Sequence, residues 1–241
     1  MMNYRRAIEK AIQRAFNVFG LRISIVSRHV LDRRWLEGVN IRTVIDIGAS
    51  KGRAAEEFHM LFPEAYIYSF EPLPDCFAMT QERMKQVRRF KAFNIALGDS
   101  LGEVVMHRSS YSLSSSLRPM ANLHKELFPV TAGQKPLIVT VDTLDHALSG
   151  YNLEENIFVK IDVQGFEDKV IAGGSNILRR ASVILIETSF QELYSGQPLF
   201  DDVYRLLREL GFEYHGSWAP ELKSPVDGQL LQQDSVFIRP A

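Results

Sequence analysis

The stretch over residues 43–58, TVIDIGASKGRAAEEF, constrains this chain more than any other. Val44, Ile45 and Ile47 are β-branched, as suits a strand buried on both faces, and Asp46 sits just before its end. Gly48 and Gly52 bracket a tight turn, and helix formers continue from Arg53. A strand, a glycine turn and a helix N-terminus together bring backbone close to a ligand. A second predicted strand over 66–70 ends in Glu71, 23 positions after Gly48. In a nucleotide-binding α/β unit, a carboxylate at that distance holds a ribose diol.

The glycine pattern narrows the ligand. A dinucleotide site needs G-x-G-x-x-G, and only Gly48-x-x-x-Gly52 is present. A phosphate-binding loop ends G-K-[ST], and Ser50-Lys51-Gly52 has that order wrong. What remains is a looser turn with an acidic residue just ahead of it, as in S-adenosylmethionine sites. That molecule has no phosphate to cradle; it carries a sulfonium and an amino group, and Asp46 supplies negative charge nearby. The competing reading is an ordinary βα turn with Glu71 as a solvated strand end. The spacing of Glu71 favours the cofactor.

Composition sets the outer bounds. A chain of 241 residues fits one large α/β domain, and a net charge of −1 gives no global field that would recruit nucleic acid. A single cysteine, Cys76, excludes an intrachain disulfide and any multi-cysteine metal site. No apolar run reaches the roughly 18 residues of a membrane span, and the N-terminus lacks an apolar signal region, so a cytoplasmic protein is expected. Residues 1–40 carry eight Lys/Arg against three Asp/Glu. Within them, Ala7, Ile8, Ala11, Ile12, Ala15, Phe16 and Phe19 recur at helical spacing, and a second helical segment covers 23–36. This predicts a helical cap over 1–40 ahead of a catalytic domain over 41–241. A basic amphipathic helix also suits a peripheral membrane surface or a homo-oligomer contact through residues 1–38.

Downstream, strands are predicted over 90–96, 102–107, 137–141, 156–163, 182–186, 212–216 and 235–238. Helices are predicted over 75–87, 166–172 and 200–210. The alternation predicts an α/β fold with a mostly parallel sheet, helices on both faces, and an antiparallel hairpin at its edge. Ligands of such sheets bind at the carboxyl ends of the strands, where Glu71, Asp99, Asp162 and Glu187 all fall. The serine-rich stretch 109–116 and the proline-bearing stretch 117–136 read as one long, mobile active-site loop between two strands of that sheet.

The motifs VIDIGASKG at 44–52, FEPLP at 70–74, NIALGD at 94–99, VDTLD at 141–145 and KIDVQGFE at 160–167 resemble the FkbM family of S-adenosylmethionine-dependent methyltransferases. ILIE at 184–187 fits as well, and the resemblance covers roughly residues 40–190. Where relatives often carry Glu, this chain has Gln164. The resemblance implies a Rossmann-like class I methyltransferase fold of seven strands, the last antiparallel. It implies methyl transfer to a hydroxyl of a sugar, glycan or natural-product acceptor. Asp46, Gly48, Ala49, Ser50 and Gly52 would form the cofactor loop, and Glu71 would take the ribose hydroxyls. Pro72 and Leu73 would face the adenine, Asp99 would accept from its amine, and Asp162 would face the methyl group.

An alcohol is a poor nucleophile until its proton is being removed, so a base is expected nearby. Asp162 is the first candidate, and His107, flanking the serine-rich stretch with His124, is the next; His146 is a further one. Lys160, in phase with Asp162, is read as the partner of a neighbouring carboxylate. No metal is assigned. Two other functions compete with methyl transfer to a small acceptor. One is a non-catalytic cofactor-binding adaptor working through the N-terminal helix. The other is a nucleic-acid methyltransferase, disfavoured because the strand before the site ends Asp162-Val163-Gln164-Gly165 rather than in an [DNS]-P-P-[YFW] loop.

Overall fold

The computed structural model describes residues 36, 39–218 and 221–240. The expected helices over 3–19 and 23–36 fall, Leu36 apart, outside the described residues, and so does the membrane or partner contact expected of them.

The strand read first from the sequence is the middle of the sheet. β1 (Thr43–Ile47) is buried at all five positions and pairs in parallel with β2 (Tyr66–Phe70) on one side and β7 (Ile157–Ile161) on the other. Continuous β-branched sequence is what such a two-sided environment demands. β3 (Phe90–Phe93) extends the sheet beyond β2, and β8 (Ala181–Ser189) extends it beyond β7, both in parallel. β11 (Leu230–Ile238) then joins β8 antiparallel and carries β9 (Glu213–Ser217) and the short β10 (Leu222–Lys223). Among the described residues the sheet therefore has eight strands, in the order β10-β11-β8-β7-β1-β2-β3 with β9 also on β11. The two-residue β10 is the strand beyond the seven expected. The order reverses between β1 and β7, which opens a crevice at their carboxyl ends.

Helices cover both faces. Period-2 alternation sends Ile45, Ile47, Val159, Ile161, Ile184 and Ile186 into one core. That core is closed by Leu144 of α4 (Leu144–Ala147), Val170 of α5 (Glu167–Gly173), Leu178 of α6 (Ser175–Leu178) and Leu207 of α7 (Phe200–Glu209). On the opposite face, Phe158 meets Phe58 of α1 (Arg53–Leu61) with ring centroids 5.1 Å apart. α2 (Pro74–Met84) follows β2 and starts on a proline, which suits the first helical turn because no N–H is needed there.

Residues 94–142 depart from expectation. The strand anticipated over 90–96 breaks after Phe93, where the Asn94 amide donates to the carbonyls of Glu71 and Pro72. Its continuation, β4 (Ala96–Leu97), leaves the main sheet. β4 pairs with β6 (Gln134–Asp142), and β6 pairs antiparallel with β5 (Gly102–Ser109), making a separate three-stranded sheet. Exposed residues recur along β5 and β6, so these strands suit a half-solvated antiparallel ribbon and not the doubly covered main sheet. The segment between them is not a structureless loop either. It contains short 3₁₀ turns at Ser112–Ser114 and Pro129–Thr131 and the helix α3 (Asn122–Leu127). Among the described residues, no helix is long and apolar enough to cross a membrane.

Candidate active site

The crevice at the carboxyl ends of β1, β2, β7 and β8 holds a cavity of about 220 Å3. Its wall runs from Ile47, Gly48 and Ser50 through Phe70–Leu73 to Asp162, Val163, Gln164 and Glu187. Ile95, Ala96, Leu97, Met106, Ser112, Leu113, Ser115 and Leu117 close the other side.

The glycine turn is held from three directions. The N–H groups of Gly48 and Ala49 both donate to the Phe70 carbonyl at 3.0 Å. Gly48 has φ +78°, and a Cβ there would lie 1.8 Å from the carbonyl oxygen of Asp162. Only glycine fits that conformation and that approach. Ser50, at φ +48°, donates its N–H to Glu71 Oε2 at 2.7 Å, and its hydroxyl is a buried polar atom without a protein partner that lies in the cavity wall. Gly52, at φ +74°, caps α1 and packs against Thr80, whose hydroxyl donates to the Ser50 carbonyl at 2.7 Å.

Glu71 thus serves the turn as well as the cavity. It also accepts the Leu73 N–H at 2.9 Å on Oε1, and only 6% of it is exposed. Burial pushes its carboxyl up to about 7, against the lowering pull of the two N–H donors and Lys160.

Asp46 is not in the wall. It lies fully buried behind the turn, opposite Lys160 in the β1–β7 register. Lys160 Nζ sits 3.6 Å from Asp46 Oδ1 and 3.3 Å from Asp162 Oδ2. Burial works against the lysine's charge, but Asp162 and Asp46 outweigh it and hold Nζ well above its ordinary range. Lys160 is therefore the carboxylate partner expected of it.

At the far end, Gln164 joins two acids. Its Nε2 donates to Asp162 Oδ1 at 2.9 Å and to Glu187 Oε2 at 2.7 Å, while its Oε1 accepts from the Tyr194 hydroxyl at 2.8 Å. Gln164 adopts φ +56°, a strained setting for a side-chain-bearing residue and one that clusters at functional sites. A glutamate at 164 would bring a third carboxylate against the first two; an amide can donate to both.

Other expected residues are placed elsewhere. Asp99 lies outside the cavity wall and pairs with Lys169 at 2.8 Å, so that side of the cavity is lined by Ile95, Ala96 and Leu97 instead. His107 is also outside it: strand alternation turns neighbouring Met106 toward the cavity, and the His107 backbone pairs with Ser116. His124 is buried against Phe128 and Tyr194, and His146 pairs with Asp142 at the surface. Among the described residues, no group of three or more His, Cys, Asp or Glu side chains is arranged to hold a metal ion. Sequence reasoning missed the wall from β4 and β5, while the serine-rich stretch expected at the active site does reach the cavity through Ser112, Leu113 and Ser115.

Sheet order and crevice together define an α/β protein of the class I methyltransferase type. The chain belongs to the methyltransferase FkbM domain family, whose model matches residues 46–214. It is 35% identical over 161 residues to the 2-O-methyltransferase NoeI of Sinorhizobium fredii (strain NBRC 101917 / NGR234). That match covers 64% of this chain and 66% of NoeI, just under two thirds of the relative's length. Among solved structures, the methyltransferase FkbM from Methylobacillus flagellatus KT aligns with a TM-score of 0.48 at 11% identity, covering 83% of this chain and 44% of that one. EvdMO1 aligns with a TM-score of 0.47 at 10% identity, over 95% of this chain and 47% of that one.

Proposed function

We propose that this chain transfers a methyl group from S-adenosylmethionine to a hydroxyl oxygen of a sugar, glycan or natural-product acceptor. The observation that carries the reading is a single cavity with a carboxylate at the β2 tip, two more acids at the β7 and β8 tips, and apolar side chains between them. The family supports a donor of the S-adenosylmethionine type. The name of the relative, a 2-O-methyltransferase, supports oxygen as the acceptor atom.

The residues present fit the donor. The hydroxyl of Ser50 is free to bond a ligand, and Glu71 keeps lone pairs for the ribose hydroxyls beyond those given to Ser50 and Leu73. Pro72, Leu73 and Leu97 offer an apolar wall to a purine. Asp162 supplies negative charge toward a cationic methionine end, and Asp46 acts at one remove, through Lys160 and the glycine turn. When bound, the donor supplies an electrophilic methyl carbon on a sulfonium. The protein's part is to position the acceptor oxygen in line with it and to exclude water. Ser112 and Ser115 add hydroxyls suited to a polyhydroxylated acceptor.

Isothermal titration with S-adenosylmethionine and, separately, NAD tests the donor. Labelled methyl transfer to methyl glycosides with a free 2-hydroxyl tests the acceptor. Saturable binding of S-adenosylmethionine with none of NAD is expected; the reverse ends this reading.

A further inference from the structure

Two acids reach the cavity's far end, and their hydrogen bonds differ in kind. Asp162 has both oxygens engaged by neighbours, Oδ1 by the Gln164 amide and Oδ2 by Lys160. Glu187 receives two amides on one oxygen: Gln164 Nε2 at 2.7 Å and Gln232 Nε2 at 2.9 Å both point at Oε2. An oxygen that accepts two N–H bonds is not the one that carries a proton. Among the described residues Oε1 has no such donor, so it is the atom free to exchange a proton with the cavity.

The surroundings favour proton uptake there. Asp234 stands directly opposite Glu187 in the β8–β11 register, a like-charge cross-strand pair. Asp162 is linked to Glu187 through Gln164, and buried Glu167 lies on α5 close by. Lys160 opposes them with its positive charge. Burial first, then Asp162, Glu167 and Asp234, raise the Glu187 carboxyl well above its ordinary range, and Lys160 offsets this in part.

We infer that Glu187 Oε1, and not Asp162, takes the acceptor's hydroxyl proton, with Gln164 and Gln232 as positioning residues that fix which oxygen is free. This rests on the methyl-transfer reading. The acceptor O–H bond breaks and its proton goes to Oε1. The oxygen bonds to the methyl carbon of the sulfonium donor, and the C–S bonding pair stays on sulfur as a neutral thioether.

Infrared pH titration of the unliganded protein reads the group without any acceptor. Glu71 and Glu167 also titrate at about 7, so the readout is a difference between proteins that share them. Wild type minus Glu187→Gln, and Asp162→Asn minus the Asp162→Asn/Glu187→Gln double variant, should each show a protonated-carboxyl band titrating above the ordinary glutamate range. A difference spectrum without such a band overturns the assignment. Should Glu187→Gln not fold, Asp234→Asn serves: one of the raised carboxyl midpoints must move to lower pH, and midpoints that all stay in place overturn the assignment equally. In turnover with S-adenosylmethionine and methyl glycosides, Glu187→Gln should bind the donor within about threefold of wild type. Transfer should be slowed by about 10²–10⁴-fold, the usual contribution of a positioned base. Failure of the methyl-transfer reading shows separately, as wild-type protein that binds no S-adenosylmethionine. Failure of this assignment shows as donor binding and transfer that both survive in Glu187→Gln.

Discussion

Lys160 Nζ donates to the carbonyl oxygen of Gly48 at 3.0 Å. One hydrogen bond thereby ties β7 to the glycine turn after β1, and the same ammonium neutralises Asp46 behind it and Asp162 in front. Lys160→Met keeps most of the volume and removes the charge, leaving Asp46 buried without compensation. A loss of about 3–5 kcal/mol in folding stability is expected, as for breaking a buried pair from one side. Denaturant unfolding measures it, and a change below about 1 kcal/mol would mean that the pair contributes little.

Glu71 accepts from Ser50 and Leu73 at once, so its removal loosens the turn as well as the ribose site proposed for it. Glu71→Ala should weaken S-adenosylmethionine binding by about 1–3 kcal/mol, the loss of charge-assisted hydrogen bonds. Because the wild-type carboxyl titrates at about 7, binding to its ionised form should tighten as pH rises through that value. Titration calorimetry across that range should find the slope in wild type and not in Glu71→Ala. An unchanged dissociation constant in the folded variant takes Glu71 out of the ribose site.

Glu167 accepts the Val163 and Gly165 N–H groups on Oε1, and burial still raises its carboxyl from 4.5 to about 7. A folded-state value above the unfolded one favours folding while the group is protonated. That contribution is complete below 4.5 and is lost as pH rises through about 7. Glu167→Gln should therefore flatten the fall in melting temperature over this window, by up to about 3 kcal/mol of stability. Parallel curves for the two proteins would show that Glu167 does not titrate there.

Gly48→Ala is expected to cost about 2–4 kcal/mol, combining a left-handed backbone with overpacking against the Asp162 carbonyl. Thermal unfolding checks the stability, and calorimetry checks that donor binding falls with it. A variant as stable as wild type would mean that the turn relaxes.

The segment over 109–136 is pinned to the rest of the site. His107 and Ser116 exchange backbone hydrogen bonds, the Ser116 hydroxyl donates to the Gln164 carbonyl at 2.6 Å, and Arg118 grips both oxygens of Asp168. The amides of Ser116 and Ala121, which bond His107 and Leu193, should resist hydrogen exchange in the free protein. Fast exchange there that slows only with donor and acceptor bound would restore a moving lid.

How much was legible in the sequence followed from how local each feature is. Buried parallel strands announce themselves through unbroken β-branched runs, and a left-handed turn through its glycines. β1, Gly48 and Gly52 could therefore be read from neighbours within a few positions, and Glu71 from its fixed spacing of 23 positions after Gly48. The family motifs did the same for the order of the elements. Features that depend on register between distant strands were not legible. Whether Asp99 or Leu97 meets the cavity turns on the break at Asn94, which sends β4 to a second sheet. Asp46 and Asp162 look equivalent as strand-end acids, yet pairing with β7 buries the first and opens the second to the cavity. Gln164 reads as a departure from the family pattern until Asp162, Glu187 and Tyr194, up to 30 positions away, converge on its one amide. Side-chain chemistry and local backbone preference are written residue by residue. Which oxygens face one another depends on long-range packing, and only the folded chain decides it.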